Sequence, residues 1–119
     1  MIAFADTFYF LALVNPEDEQ HENAVAFAGD ARGRIVTTAW VMTELADALS
    51  VARLRNLFAT MLRRMENSPH VVILPPDLEA FRSGVSVYEQ HRDKDWSLTD
   101  CISFVVMRER KIKDALTGD

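Results

Sequence analysis

Lys94-Asp95-Trp96-Ser97-Leu98-Thr99-Asp100-Cys101-Ile102-Ser103-Phe104 puts two carboxylates where a helix should begin, directly ahead of the apolar run from Ile102 to Met107. Ser97 with Asp100 three residues on fits a capping box, in which a hydroxyl and an acid satisfy the first unpaired helix N–H groups. Capping alone accounts for these two residues. It does not account for isolated acids elsewhere, Asp6, Glu44 and Asp119, at comparable junctions.

Working outward toward the N-terminus, Ile2 to Ala5 is a short apolar run ending in Asp6, read as a first strand with an acid at its C-terminal end. Phe8 to Val14 follows as a short helix stopped by Asn15-Pro16. Glu17 to Asp30 reads as a helix with acids crowded into its first turn and Ala24, Val25, Phe27 and Ala28 on its buried face. Arg34 to Thr38 is a β-branched second strand. Thr38 caps the next helix, whose apolar positions run at three- and four-residue spacing from Leu45 to Met65; whether it breaks near Ser50 is left open by the pattern. Val71 to Leu74 is a third strand before Pro75-Pro76, and Asp77 to Arg92 a helix weakened by Ser83, Gly84 and Ser86. The opening stretch then starts a helix to about Lys111, and Ala115 to Thr117 is a fourth strand. Short apolar strands alternating with amphipathic helices predict one domain over residues 1–119. Its fold class is α/β, a three-layer α/β/α sandwich around a short parallel sheet.

At 119 residues the chain is long enough for one core, and 49% hydrophobic with 26% charged content describes a soluble globular protein. The lone Cys101 excludes an internal disulfide and reads as a small buried hydrophobe, compatible with a reducing cytoplasm. No signal peptide is recognisable, and the apolar run Phe8 to Val14 is too short to span a membrane. A net charge of −5 argues against simple electrostatic capture of nucleic acid. Apart from Arg32 and Arg34, though, every Lys and Arg follows Ala52, which leaves room for a basic rim; Arg53, Arg55, Arg63 and Arg64 are its candidates, with a solvated helix face as the plainer reading.

The acids carry the chemistry. In an open parallel sheet, ligands bind beyond the C-terminal ends of the strands. Asp6 follows the first strand there, Asp119 the fourth, and Asp100 begins a helix at the same end. Glu44 falls beside a face formed by Val41, Leu45, Ala48 and Ala52, where a carboxylate is costly unless paired or bound to a cation. Asp47 lies one turn further on, and no Lys or Arg is within a turn of either. Carboxylates gathered without basic partners repel, and a hard divalent cation, Mg2+ or Mn2+, resolves the repulsion. The scattered His21, His70 and His91 form no zinc set, and Gly29, Gly33, Gly84 and Gly118 form no phosphate loop. A receiver-type signalling domain would need an Asp where the third strand ends in Leu74-Pro75.

Asp6-Thr7, Thr43-Glu44-Leu45, Ser97-Leu98-Thr99-Asp100-Cys101 and Ala115-Leu116-Thr117-Gly118-Asp119, in this order and spacing, resemble a PIN domain. More narrowly, the chain is similar to the VapC-type toxins of bacterial toxin–antitoxin pairs. The resemblance implies a Mg2+- or Mn2+-dependent endoribonuclease, with Asp6, Glu44, Asp100 and Asp119 as metal ligands and catalytic residues. It makes Thr7 and Asp95 supporting positions, with Asp47 as an extra acid where many members carry Asn. It also implies an RNA substrate, a homodimer and a small cognate antitoxin. Members of the family usually continue past the last aspartate with a short helix and a closing strand, so ending at Asp119 predicts a sheet without its last strand and a less securely held fourth ligand. A catalytically weak PIN-fold module that works by binding protein or RNA is the competing expectation.

Overall fold

The computed structural model describes residues 1–116. Strand β1 (Ile2–Ala5) leads into α1 (Thr7–Val14) and α2 (His21–Ala28). Strand β2 (Arg34–Thr38) follows, then α3 (Ala39–Ala48), a 3-10 turn at Ala52–Leu54 and α4 (Arg55–Glu66). Strand β3 (Val71–Leu74), α5 (Leu78–Gln90), α6 (Leu98–Arg110) and β4 (Asp114–Leu116) complete the order. All pairings are parallel, and the sheet runs β3-β2-β1-β4. Central β1 and β2 are buried along Ala3–Ala5 and Ile35–Thr38, which is why they read as unbroken apolar or β-branched runs.

The chain steps from β1 to β2 to β3 in one direction, then returns across the sheet to place β4 on the far side of β1. Right-handed crossovers therefore put α1 to α4 on one face and α5 with α6 on the other, giving the three layers expected. The reversal lies between β1 and β4, and the Asp6 N–H donates to Leu116 O across it at 3.2 Å. In sheets of this kind that crevice is the ligand site.

Capping residues set the helix starts at this edge. Asp6 accepts from Tyr9 N, Thr38 from Val41 N and Asp77 from Ala80 N. The core joins Phe4, Phe10, Val41, Leu45, Ile102 and Val106 from both layers of helices and the sheet between them. Buried Thr37 donates to Ala5 O at 2.8 Å, so a polar side chain sits in the central layer without an unmet bond.

Several boundaries differ from the sequence reading for identifiable reasons. The second helix starts at His21, because Asn15 and Asp18 side chains accept from Glu17 N and Gln20 N and hold those residues in turns. Its Val25 and Ala28 are exposed, leaving Ala24 buried and Phe27 half-buried. The long helix breaks after Ala48: Leu49 N bonds back to Leu45 and Ala46, and Arg55 Nε donates to Ser50 O at 2.7 Å, satisfying a carbonyl the break releases. The buried face therefore runs through Leu45 to Leu49 and not through Ala48 and Ala52, which are both exposed. Helix α5 ends at Gln90, and β4 begins at Asp114, one residue early, with Thr117 outside the described residues.

Gly84, a poor helix former on its own, is explained by packing. A Cβ there would overlap Ile102 Cγ1 and stand 3.2 Å from Ile102 Cα and N, so the close contact of α5 with α6 requires its absence. Helix α6 ends at Lys111 in the left-handed region (φ 57°, ψ 38°), with Ile112 N donating to Met107 O at 2.9 Å.

Candidate active site at the C-terminal edge of the sheet

Each connection after a strand begins at the C-terminal edge, so the first residues of α1, α3 and α5 lie there. Helix α6 lies antiparallel on α5, with its last turns, at Val106, Glu109 and Arg110, beside Thr38, Leu74 and Asp77. Two of the acids singled out by sequence, Asp6 and Glu44, belong to this edge, and Asp100 lies in the first turn of α6. Asp6 ends β1 and caps α1, accepting from Tyr9 N at 3.1 Å. Glu44 sits in the second turn of α3, half-buried, and accepts a hydrogen bond from the Thr7 hydroxyl. Thr7 is itself buried, at 7% exposure, so the bond ties the start of α1 to α3 beside Asp6. Helix α3 also packs against α6, whose first turn carries Asp100.

Asp100 has two attachments. Its Oδ2 accepts from Ser97 N at 3.0 Å while Ser97 Oγ accepts from Asp100 N at 3.0 Å, a complete capping box. The box fixes the carboxylate at the helix start, and Oδ1 is not part of it. Buried Cys101 follows, its thiol pushed up by burial and, secondarily, by the Asp100 charge. That is the behaviour of a packing residue rather than a nucleophile.

The remaining sequence candidates separate from this group. Asp47 is exposed, one turn beyond Glu44. Asp95 is exposed as well and lines a different cavity, between α5 and α6. Asp119 lies outside the described residues. Arg53, Arg55, Arg63 and Arg64 are exposed, with Arg55 occupied in closing the helix break and Arg64 lining a groove against α1 and α2. Among the histidines, His21 bonds Ala12 O, His91 bonds Val87 O, and His70 lies 3.3 Å from Arg34 Nη1.

The donor set these acids offer is oxygen only. Neither Glu44 nor Asp100 is ion-paired with a described residue, the ion pair among those residues being Arg32–Asp30 on the surface. Such a set suits a hard divalent cation in its chemistry. Among the described residues, however, no three His, Cys, Asp or Glu side chains gather closely enough to hold a metal ion.

Two features escaped the sequence reading. Helices α1, α2 and α4 border an apolar groove of about 640 Å3, lined by Phe10, Leu13, Phe27, Leu57, Met61 and Met65. The periodicity of these residues is that of a core face, and only the tertiary structure shows a cleft. The second is the α5–α6 cavity of about 370 Å3, lined by Tyr88, His91, Arg92, Lys94, Asp95, Trp96 and Cys101. Its signal was present as aromatic and basic residues interleaved from Tyr88 to Trp96.

Comparison with solved structures places the fold. The crystal structure of VapC20 from Mycobacterium tuberculosis, described as a sarcin-ricin loop cleaving toxin, superposes with a TM-score of 0.84 at 24% identity, covering 100% of this chain and 90% of that one. FitAcB from Neisseria gonorrhoeae superposes with a TM-score of 0.60 at 19% identity, covering 94% of this chain and 84% of that one. At these identities the likeness is one of fold. A search of curated proteins gave no match. The PIN domain family model matches residues 3–119, and the chain belongs to the PIN domain family.

Proposed function

We propose that this chain acts as one domain, a Mg2+- or Mn2+-dependent endoribonuclease of the cytoplasm, and as the toxin of a toxin–antitoxin pair. The observation that carries the reading is the Thr7–Glu44 hydrogen bond beside Asp6 at the strand-order reversal, in a chain of the PIN domain family. Asp6, Glu44, Asp100 and Asp119 would hold the cation. When bound there, it supplies Lewis acidity that makes a water more acidic and offsets charge on the scissile phosphate.

The chain's own residues do the positioning. Tyr9 N–H anchors the Asp6 carboxylate and Ser97 N–H the Asp100 carboxylate, so both acids are oriented before substrate arrives. Thr7 orients Glu44, which serves as ligand or as the base that takes a proton from the attacking water. Attack of that water in line at phosphorus breaks the bond to the 3′ oxygen, which takes a proton from solvent, and leaves a 3′-hydroxyl and a 5′-phosphate. The apolar groove bordered by α1, α2 and α4 supports the partner half of the reading, since an exposed apolar cleft of that size fits a segment of a small antitoxin. Assembly as a homodimer is part of the same proposal.

The test is digestion of a pool of transfer and ribosomal RNA with cleavage ends mapped. Cleavage should require Mg2+ or Mn2+, stop with EDTA and be lost in Asp6→Asn and Asp100→Asn; full activity in either folded variant would overturn the assignment.

A second reading, a PIN-fold module that binds protein or RNA without cutting, is favoured by the absence of three grouped metal-binding side chains among the described residues. Calorimetry with Mn2+ separates the two, because a binding-only module has no need of the metal.

A further inference from the structure

The cavity between α5 and α6 is built from aromatic and basic side chains. Tyr88, 50% exposed, and Trp96 are its aromatic walls. Trp96 is braced from behind by Phe104, edge-on at 4.9 Å, and His91 lies against it at 5.2 Å with the planes tilted by 43°. Lys94 Nζ stands 5.9 Å from the Trp96 ring centroid. Arg92 is steadied by its Nε bond to Glu89 O at 3.2 Å, and His91 by its bond to Val87 O at 2.9 Å. Among the described residues, neither Arg92 nor Lys94 is ion-paired. At about 370 Å3 the cavity is within the size range of small-ligand pockets. Its wall includes Cys101, the residue after Asp100.

We infer that this cavity is a nucleotide subsite for single-stranded RNA, in which an unpaired base stacks on Tyr88 and Trp96 while Arg92 and Lys94 contact its flanking phosphates. The inference rests on the ribonuclease reading and adds the place on the fold where a nucleotide of the strand is held. Stacking accepts any base because every base has a π face, and cations beside the rings track the backbone. Asp95, the one acid in the wall, offers an acceptor to amino groups on the base edge and directs phosphates away toward Arg92 and Lys94. Paired bases in an A-form helix cannot enter, because their faces are covered by their neighbours.

The experiment is a fluorescence titration of the full chain in EDTA, where no cleavage occurs, with a five-nucleotide single-stranded RNA. A pentamer lacking bases and the mononucleotide AMP are titrated in parallel. The RNA should quench Trp96, the abasic pentamer should bind about 5- to 150-fold more weakly, the range that loss of one stacked base produces, and AMP should bind more weakly than the pentamer. Tyr88→Ala, at an exposed position that will not disturb folding, should weaken the RNA by at least about 5-fold. Arg92→Ala and Lys94→Ala should each flatten the log–log salt dependence by about 0.7.

Equal binding of the abasic pentamer, or wild-type binding by Tyr88→Ala, would overturn the subsite. AMP binding as tightly as RNA would overturn its assignment to an RNA strand. Base-dependent binding of a chain that never cleaves RNA with Mg2+ would uphold the subsite and sink the nuclease reading. Metal-dependent cleavage with an unchanged KM in Tyr88→Ala would do the reverse.

Discussion

Thr7→Val isolates the contact on which the site depends. Valine keeps the shape and β-branching of threonine at the first position of α1 but removes the hydroxyl that donates to Glu44. A hydrogen bond to a charged group contributes about 1.5–3 kcal/mol, and water can partly replace it because Glu44 is only half-buried, so the lower end applies, about 1–2 kcal/mol. For a chain of this size that corresponds to a fall in Tm of roughly 3–10 °C. The pairing itself is read from a double-mutant cycle with Glu44→Ala in urea, where residues in direct contact give a coupling of about 0.5–3 kcal/mol. On the functional side, an unanchored Glu44 should lower kcat about 10-fold, the equivalent of roughly 1.4 kcal/mol in the barrier. A Thr7→Val protein within about 0.3 kcal/mol of wild type, with no coupling to Glu44→Ala, would refute the reasoning.

Other perturbations test the fold that holds the site. Gly84→Ala gains about 1 kcal/mol of helix propensity but forces a methyl into Ile102, so a net loss of about 1–2 kcal/mol is expected in chemical denaturation; a stabilised variant would contradict the α5–α6 packing. Lys111→Gly relieves a left-handed residue and should raise Tm by a few degrees, whereas a lower Tm would contradict the cap geometry. Buried Tyr9, its pKa pushed up to about 12 by desolvation, holds its proton longer folded than unfolded. Its contribution is therefore intact below pH 10 and falls as pH rises from about 10 to 12, by roughly 2–3 kcal/mol. Tyr9→Phe should lose that alkaline component in denaturation curves taken across this range, and an unchanged slope would contradict it.

Much of this architecture is legible along the chain because its signals are local. Asp6, Thr38 and Ser97 announce helix starts through side chains that reach their own next turn, and the strand cores are short apolar runs. What escaped depended on partners distant in sequence. Gly84 looks like a flaw in α5 until Ile102 is brought against it. The break after Ala48 is concealed because buried Leu49 keeps the apolar spacing across it, and Arg55 closes it from the next helix. The early turn at Asn15 to Gln20 was hidden for a different reason, since its acids are equally at home in a first helical turn. For the candidate site, the sequence points to Asp6, Glu44 and Asp100. Their gathering at one end was already the sequence expectation, and the structure adds the Thr7–Glu44 bond next to Asp6. Capping engages Oδ2 of Asp100, while Oδ1 is not part of the box.

The central claim is that the site's acids act through a divalent cation on RNA, and it is tested most directly by kcat on a single mapped RNA for wild type, Asp6→Asn and Asp100→Asn at saturating Mg2+. Loss of a ligand should cost more than the about 10–100-fold typical of an outer-shell partner, so each variant should fall by at least about 100-fold while remaining folded. Wild-type kcat in either folded variant would contradict the account.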